Sequence, residues 1–251
     1  MKTRWDTRKI TGLALVSAIA YVIMLAGFRF MASAPFLKYE AKDVILTIGG
    51  FIYGPAGALA ASFGVALLEM ITISETGPVG FLMNFIAAAS YACPASIYYK
   101  RYRTAKGAAI GLAIGSASLT AVMLLWNYVI TPLYMNVPRA VVTGMLLPVF
   151  LPFNLIKAGL NSAITLLIYK PLTTALRAAK LLPGETPASV PNAVTAHADT
   201  ASAGVSSADV PSADVTPVRK YKINMGLLIG ACVLLILCAL AILYYKLQFT
   251  G

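Results

Sequence analysis

Six apolar runs, each closed by a short polar or basic stretch, occupy most of the chain between positions 10 and 169. They cover residues 10–28, 44–53, 56–73, 81–99, 107–128 and 147–169. Uncharged apolar stretches of about 18 residues or more predict membrane helices, because in lipid only a helix or a closed barrel pairs all its backbone groups. Gly54-Pro55 breaks the second run from the third. Were those two runs one interrupted helix, the basic cluster Lys100, Arg101, Arg103 and Lys106 would face outward, against the bias of short loops. Two separate passes put the cluster inside. The first of the two is short, roughly 15 Å of helix, so neighbours must shield it or the preceding loop must lengthen it.

After the sixth run the pattern stops. Residues 181–218 hold four acids and no Lys or Arg, are rich in Ala, Ser, Pro and Thr, and carry a tandem Ser-Ala-Asp-Val repeat, the composition of a flexible linker. Arg219, Lys220 and Lys222 then precede a clean apolar run, 223–245, long enough to span. The expected architecture is an all-α polytopic membrane protein. It comprises a six-helix membrane domain over 1–180, a polar linker over 181–222 and an extra transmembrane helix within 223–251. Lys2, Arg4, Arg8 and Lys9 place the N-terminus in the cytoplasm, and seven passes place the C-terminus outside. The first run is longer than a signal peptide's apolar core and has no clear small-residue cleavage site, so it is expected to stay.

Composition sharpens this picture. Hydrophobic residues make up 59% of the chain and charged residues 12%, about half the charged share of a soluble domain. The net charge of +11 lies in short clusters between apolar runs, which fits membrane loops and argues against a nucleic-acid partner. His197 is the only histidine, and Cys93, Cys232 and Cys238 lack metal-ligand spacing. Neither a zinc site nor a Ser-His-Asp triad can be built from these residues, and clustered catalytic carboxylates are missing, so no enzyme is expected. There is no Gly-Lys-Ser/Thr phosphate loop. If ATP drives transport here, another polypeptide hydrolyses it.

Polar residues inside the apolar runs are the candidate site. Asn154, Lys157, Ala158 and Asn161 fall within an arc of about 100° on one helix. Buried in a membrane, an amide and an amine need a polar partner or a route to the interface. Two readings stay open: a face that holds a polar ligand, or a Lys157 that snorkels outward beside amides bonded to neighbouring helices. Glu69 and Asn84 lie near outer helix ends, and Glu69 is expected to reach the interface rather than pair with a lysine. Asn127 adds an amide on the outer side, between the interfacial aromatics Trp126 and Tyr128. Ala14 and Ala18, with Gly12 and Ser17, form a small-residue strip suited to internal packing or to docking a partner helix. Gly107, Gly111 and Gly115 predict close helix packing, and Gly226-xxx-Gly230 in the last run fits a simple anchor.

Several passages also resemble a known family: Phe36-Leu37-Lys38, Ile52-Tyr53-Gly54-Pro55, Asn84-Phe85-Ile86-Ala87, Asn127-Tyr128 and Leu151-Pro152-Phe153-Asn154-Leu155-Ile156-Lys157. Spread over most of residues 10–178, they are similar to the substrate-binding S component of energy-coupling factor (ECF) vitamin transporters, especially the riboflavin-specific branch. The resemblance implies a six-helix bundle that takes its vitamin from outside, and a T protein with two ATPase subunits that drives inward release. Riboflavin is then cargo, and no cofactor is expected. It also implies that Asn127, Asn154 and Lys157 contact the flavin together with the first outside loop, Leu37, Lys38 and Tyr39. Asn84 and Asn161 complete the expected substrate-binding set, and Ala14 and Ala18 match the family's partner-docking motif. Two positions differ from the riboflavin branch: no proline follows Asp43, and Glu69 stands where a Lys-Asn pair is expected. The linker and last helix lie outside the common pattern, and 38 flexible residues reach about 34 Å, so both are expected to be dispensable for vitamin capture. An ion-coupled transporter using Glu69 and Lys157 is the competing expectation.

Overall fold

The break at Gly54-Pro55 sets the geometry of the bundle. In the computed structural model, which describes residues 7–31, 34, 36–74, 76–178, 231–234, 236–238 and 240–242, Gly54 has φ 83° and ψ 177°, a conformation open almost only to glycine. Pro55 then occupies the first turn of the next helix, where its missing N–H costs nothing. α1 (Thr7–Leu25) is followed by α2 (Lys42–Tyr53) and α3 (Pro55–Thr72), which fold back on one another about this corner. Gly50 faces Ala58 near the corner, and Lys42 reaches Glu69 at the far end. α1 lies along the pair, with Val16 over Gly49 and the Tyr21 hydroxyl 2.7 Å from Thr72 Oγ1. Leu13, Ala20, Met24, Ile45, Leu46, Ala61 and Val65 form the core between the three helices.

Both suggested ways of accommodating the short second helix are used. α2 starts two residues before the apolar run, at Lys42, and Lys42 through Gly50 are buried by neighbours. α4 (Gly77–Arg101) runs antiparallel to α3, and α5 (Ala105–Val129) antiparallel to α4. The expected glycine seam is real: a Cβ on Gly111 would stand 2.8 Å from the Ala95 carbonyl oxygen, so only glycine permits this approach. Thr104 caps α5 by accepting from Gly107 N–H at 2.9 Å.

The sixth run departs from a plain helix. A short α6 (Thr131–Met135) leads into α7 (Arg139–Met145), a π-helical turn (Leu146–Phe150) and α8 (Leu151–Ala178). Pro148 and Pro152 lack the N–H that an α-helical ladder requires, which explains why the ladder widens here, with Leu151 N–H bonding Leu146 O. Among the described residues, four helical stretches are long and apolar enough to cross a membrane: Pro55–Thr72, Gly77–Arg101, Ala105–Val129 and Arg139–Ile168. Lys9–Leu25 and Ala231–Ile242 are shorter apolar helices. Among the described residues there is no strand, only one antiparallel backbone pairing, Phe28 with Tyr39. The expected linker and both ends of the last run lie outside the described residues.

Candidate functional site

Two adjacent residues, Lys42 and Asp43, open α2 and point about 100° apart, so each enters a different side of the bundle. Lys42 is buried between two carboxylates, Glu40 Oε2 at 2.6 Å and Glu69 Oε2 at 2.7 Å, with Met24 Sδ 3.4 Å away. Asn84 Nδ2 donates to the other Glu69 oxygen at 2.6 Å, and Lys38 lies 3.5 Å from Glu40. Glu69 therefore does not reach the interface as expected. Lys42, distant in sequence, holds it inside, because a buried carboxylate beside an ammonium is far better placed than one left unpaired.

Asp43 faces α8. Its Oδ2 lies 3.3 Å from Lys157 Nζ and accepts from Asn161 Nδ2 at 3.4 Å. Asn161 Oδ1 in turn accepts from the Tyr39 hydroxyl at 2.9 Å. Lys157 is buried and paired inward, so it does not snorkel. Asp43 Oδ1, also buried, has no partner among the described residues. That leaves a strong acceptor beside a lysine that can donate further.

The loop between α1 and α2 carries the remaining pieces. Phe28 and Tyr39 exchange backbone hydrogen bonds of 3.0 and 2.9 Å, which turns the loop back on itself beside the start of α2. Burial raises the Tyr39 hydroxyl pKa well above its ordinary value, and the Asp43 carboxylate adds to this, so Tyr39 stays a neutral donor. For Glu40, burial pushes the pKa up, but the Lys42, Lys157 and Lys38 ammonium groups outweigh it and hold the carboxyl below its usual range. Apolar walls flank this polar core. Phe30 stacks on Phe153 with centroids 5.4 Å apart, Phe36 meets Phe150 at 6.1 Å, and Leu37 packs against the same cluster.

The sequence-predicted residues are thus only partly joined. Tyr39, Asn161 and Lys157 meet through Asp43, while Lys38 and Asn84 join through Glu40 and Glu69. Among the described residues, Asn127 and Asn154 bond only nearby in sequence, Asn127 within α5 and to the start of α6, Asn154 one turn back. Asn127 Nδ2 donates to Met123 O at 2.7 Å and its Oδ1 accepts from Thr131 at 2.9 Å, and Asn154 Nδ2 donates to Phe150 O at 2.8 Å. Sequence reasoning passed over Glu40, Lys42 and Asp43 as members of the site. The available signal was an acid and a base abutting an apolar helix, which burial makes costly unless both are paired. Ala14 and Ala18 lie on the exposed face of α1. The end of the bundle beside the α1–α2 loop is therefore a set of fixed donors and acceptors beside aromatic walls, suited to a flat ligand with a polar edge.

A family model for the substrate-specific component of ECF transporters matches residues 8–169. The chain is 35% identical over 176 residues to "Riboflavin transporter FmnP" of Bacillus subtilis, covering 64% of this chain and 90% of that protein. It is 29% identical over 181 residues to "Riboflavin transporter RibU" of Streptococcus thermophilus, covering 68% of this chain and 85% of that one. The solved structure described as "Structure and mechanism of the S component of a bacterial ECF transporter" superposes with a TM-score of 0.58 at 30% identity, spanning 69% of this chain and 99% of the other.

Proposed function

The chain belongs to the substrate-specific components of ECF transporters, and on that premise we propose that it captures riboflavin at the outer face of the cell membrane for import. The family is a transporter component, not an enzyme family. The observation that carries the ligand assignment is the similarity to riboflavin transporters along nearly their whole length. The outer site supports it chemically. A flavin presents an edge of donors and acceptors, which Asn127, Asn154 and Lys157 can match, and a broad ring that the Phe30, Leu37 and Phe153 wall can cover. Lys38, Tyr39, Asn84 and Asn161 orient those groups or meet the ligand's polar tail.

Within this proposal, residues 1–180 bind the vitamin as six membrane helices, 181–222 form a linker, and 223–251 add a seventh span. The N-terminus is cytoplasmic and the C-terminus extracellular. A T protein and two ATPase subunits drive release inward, which supplies the ATP chemistry that this sequence lacks. Nanomolar affinity corresponds to about 12 kcal/mol, more than a few hydrogen bonds provide, so ring burial must contribute. Purified protein should quench flavin fluorescence at sub-micromolar concentrations. Absence of quenching at micromolar flavin, with another vitamin bound instead, would discard riboflavin and leave the family assignment standing.

The T protein docks on the Ala14 and Ala18 strip in this reading. Helices associate in lipid through close van der Waals contact, which a bulky side chain prevents. Ala14→Trp and Ala18→Trp should therefore keep riboflavin binding but lose coisolation of the T protein and transport. Damaged binding with normal coisolation would assign the strip to internal packing instead.

A further inference from the structure

The last described helix is not placed as a free anchor. Ala231, Leu234, Cys238, Ala241 and Ile242 recur at helical spacing and face the bundle, while Val233, Ile236, Leu237 and Leu240 are exposed on the other side. The buried face shares one apolar cluster with two other parts of the chain, the loop residues Phe30, Met31, Ala34 and Tyr39 and the sixth-run residues Val149, Phe153 and Ile156. Gly159 of α8 is the seat: a Cβ there would stand 2.9 Å from Cys238 Sγ and 3.7 Å from Leu234 Cδ1. Cys238 Sγ also lies 3.9 Å from the Ile156 carbonyl oxygen. On its far side, the loop residue Tyr39 donates to Asn161.

We propose that the C-terminal helix is a positioning element for the substrate loop, wedged beside α8 so that it holds the Phe30–Tyr39 segment over the outer site and slows escape of a bound ligand. The second half of this statement rests on the ligand reading above; the first does not. In lipid, the apolar cluster would lose little by facing acyl chains, so removing the helix mainly removes packing contacts and the restraint on the loop. The expected signature is altered loop order and ligand release, with the bundle still folded. This differs from the sequence expectation that the last helix is dispensable for capture.

The test uses the full chain with Cys93→Ser and Cys232→Ser, leaving Cys238 as the single thiol. In that background Gly159→Cys should form a disulfide with Cys238 on mild oxidation, detected by mass after alkylation. Separately, Gly159→Leu in the otherwise native chain should displace the helix, raise hydrogen exchange across residues 28–40, and speed riboflavin release about tenfold. Leu234→Ala with Cys238→Ala thins the helix face without overpacking and should shift both readouts in the same direction. Failure of the disulfide to form, or loop exchange unchanged in both displaced variants, would overturn the proposal. If the wild-type chain binds no riboflavin but the displaced variants still loosen the loop, the positioning role stands and the riboflavin reading falls.

Discussion

Lys42→Met should destabilise the purified protein by about 3–5 kcal/mol, the usual cost of removing one partner from a buried ion pair. The variant leaves Glu40 and Glu69 facing each other at the end of α2 with no ammonium between them. Each carboxylate is mostly withdrawn from water, and their mutual repulsion adds to the loss. Thermal unfolding in detergent at neutral pH measures this directly, with Lys100→Met, an exposed position on α4, as the control that should shift stability by less than about 0.5 kcal/mol. Below the ordinary carboxylate range the deficit should narrow, because protonation neutralises the charges that Lys42 no longer compensates. A Lys42→Met protein as stable as the native one at pH 7 would mean that water or another cation reaches the cluster.

Lys157→Met should weaken riboflavin binding by roughly tenfold to over a hundredfold, since a charge-assisted hydrogen bond contributes about 1.5–3 kcal/mol. The single variant alone is ambiguous, because it also strips Asp43 of its cation. Combining Lys157→Met with Asp43→Asn removes both charges and should restore much of the stability. If Lys157 touches the vitamin, affinity stays low in the double variant. Recovery of affinity along with stability would show that Lys157 only neutralises Asp43. Flavin titration and thermal unfolding on the same four proteins complete the cycle.

The helices were legible because apolar run length and the Gly54-Pro55 break are local signals, and the turn at Gly54 follows from one residue's backbone freedom. The charge bias of short loops separated α2 from α3, whose folded-back packing now appears in the Lys42–Glu69 contact. Partnerships across the bundle were not legible. Glu69 looked interfacial because its own helix gives no hint of Lys42, 27 residues earlier in the chain. Lys157 stayed ambiguous for the same reason, since Asp43 lies over a hundred positions away in sequence and meets it only after α2 and α8 pack. The π-helical turn was missed because two prolines suggest an interruption without saying whether the ladder breaks or widens. The described residues of the last run, 231–234, 236–238 and 240–242, are helical, but their seat on Gly159 belongs to tertiary packing that the sequence does not display.

Asn127 and Asn154 each commit one amide hydrogen to a carbonyl of their own helix one turn earlier. Their rotamers are thereby fixed before any ligand arrives. In the proposed binding mode a ligand meets a remaining N–H on each side chain, the second lone pair of an Asn127 oxygen that already accepts from Thr131 of α6, and an Asn154 oxygen whose direction is already set. Immobilising a free polar side chain on association costs about 0.5–1.5 kcal/mol, and here folding has already met that cost twice. Preorganisation of this kind favours tight binding to a rigid flat edge and discriminates against ligands whose polar groups are slightly out of register, because two locked amides cannot follow them.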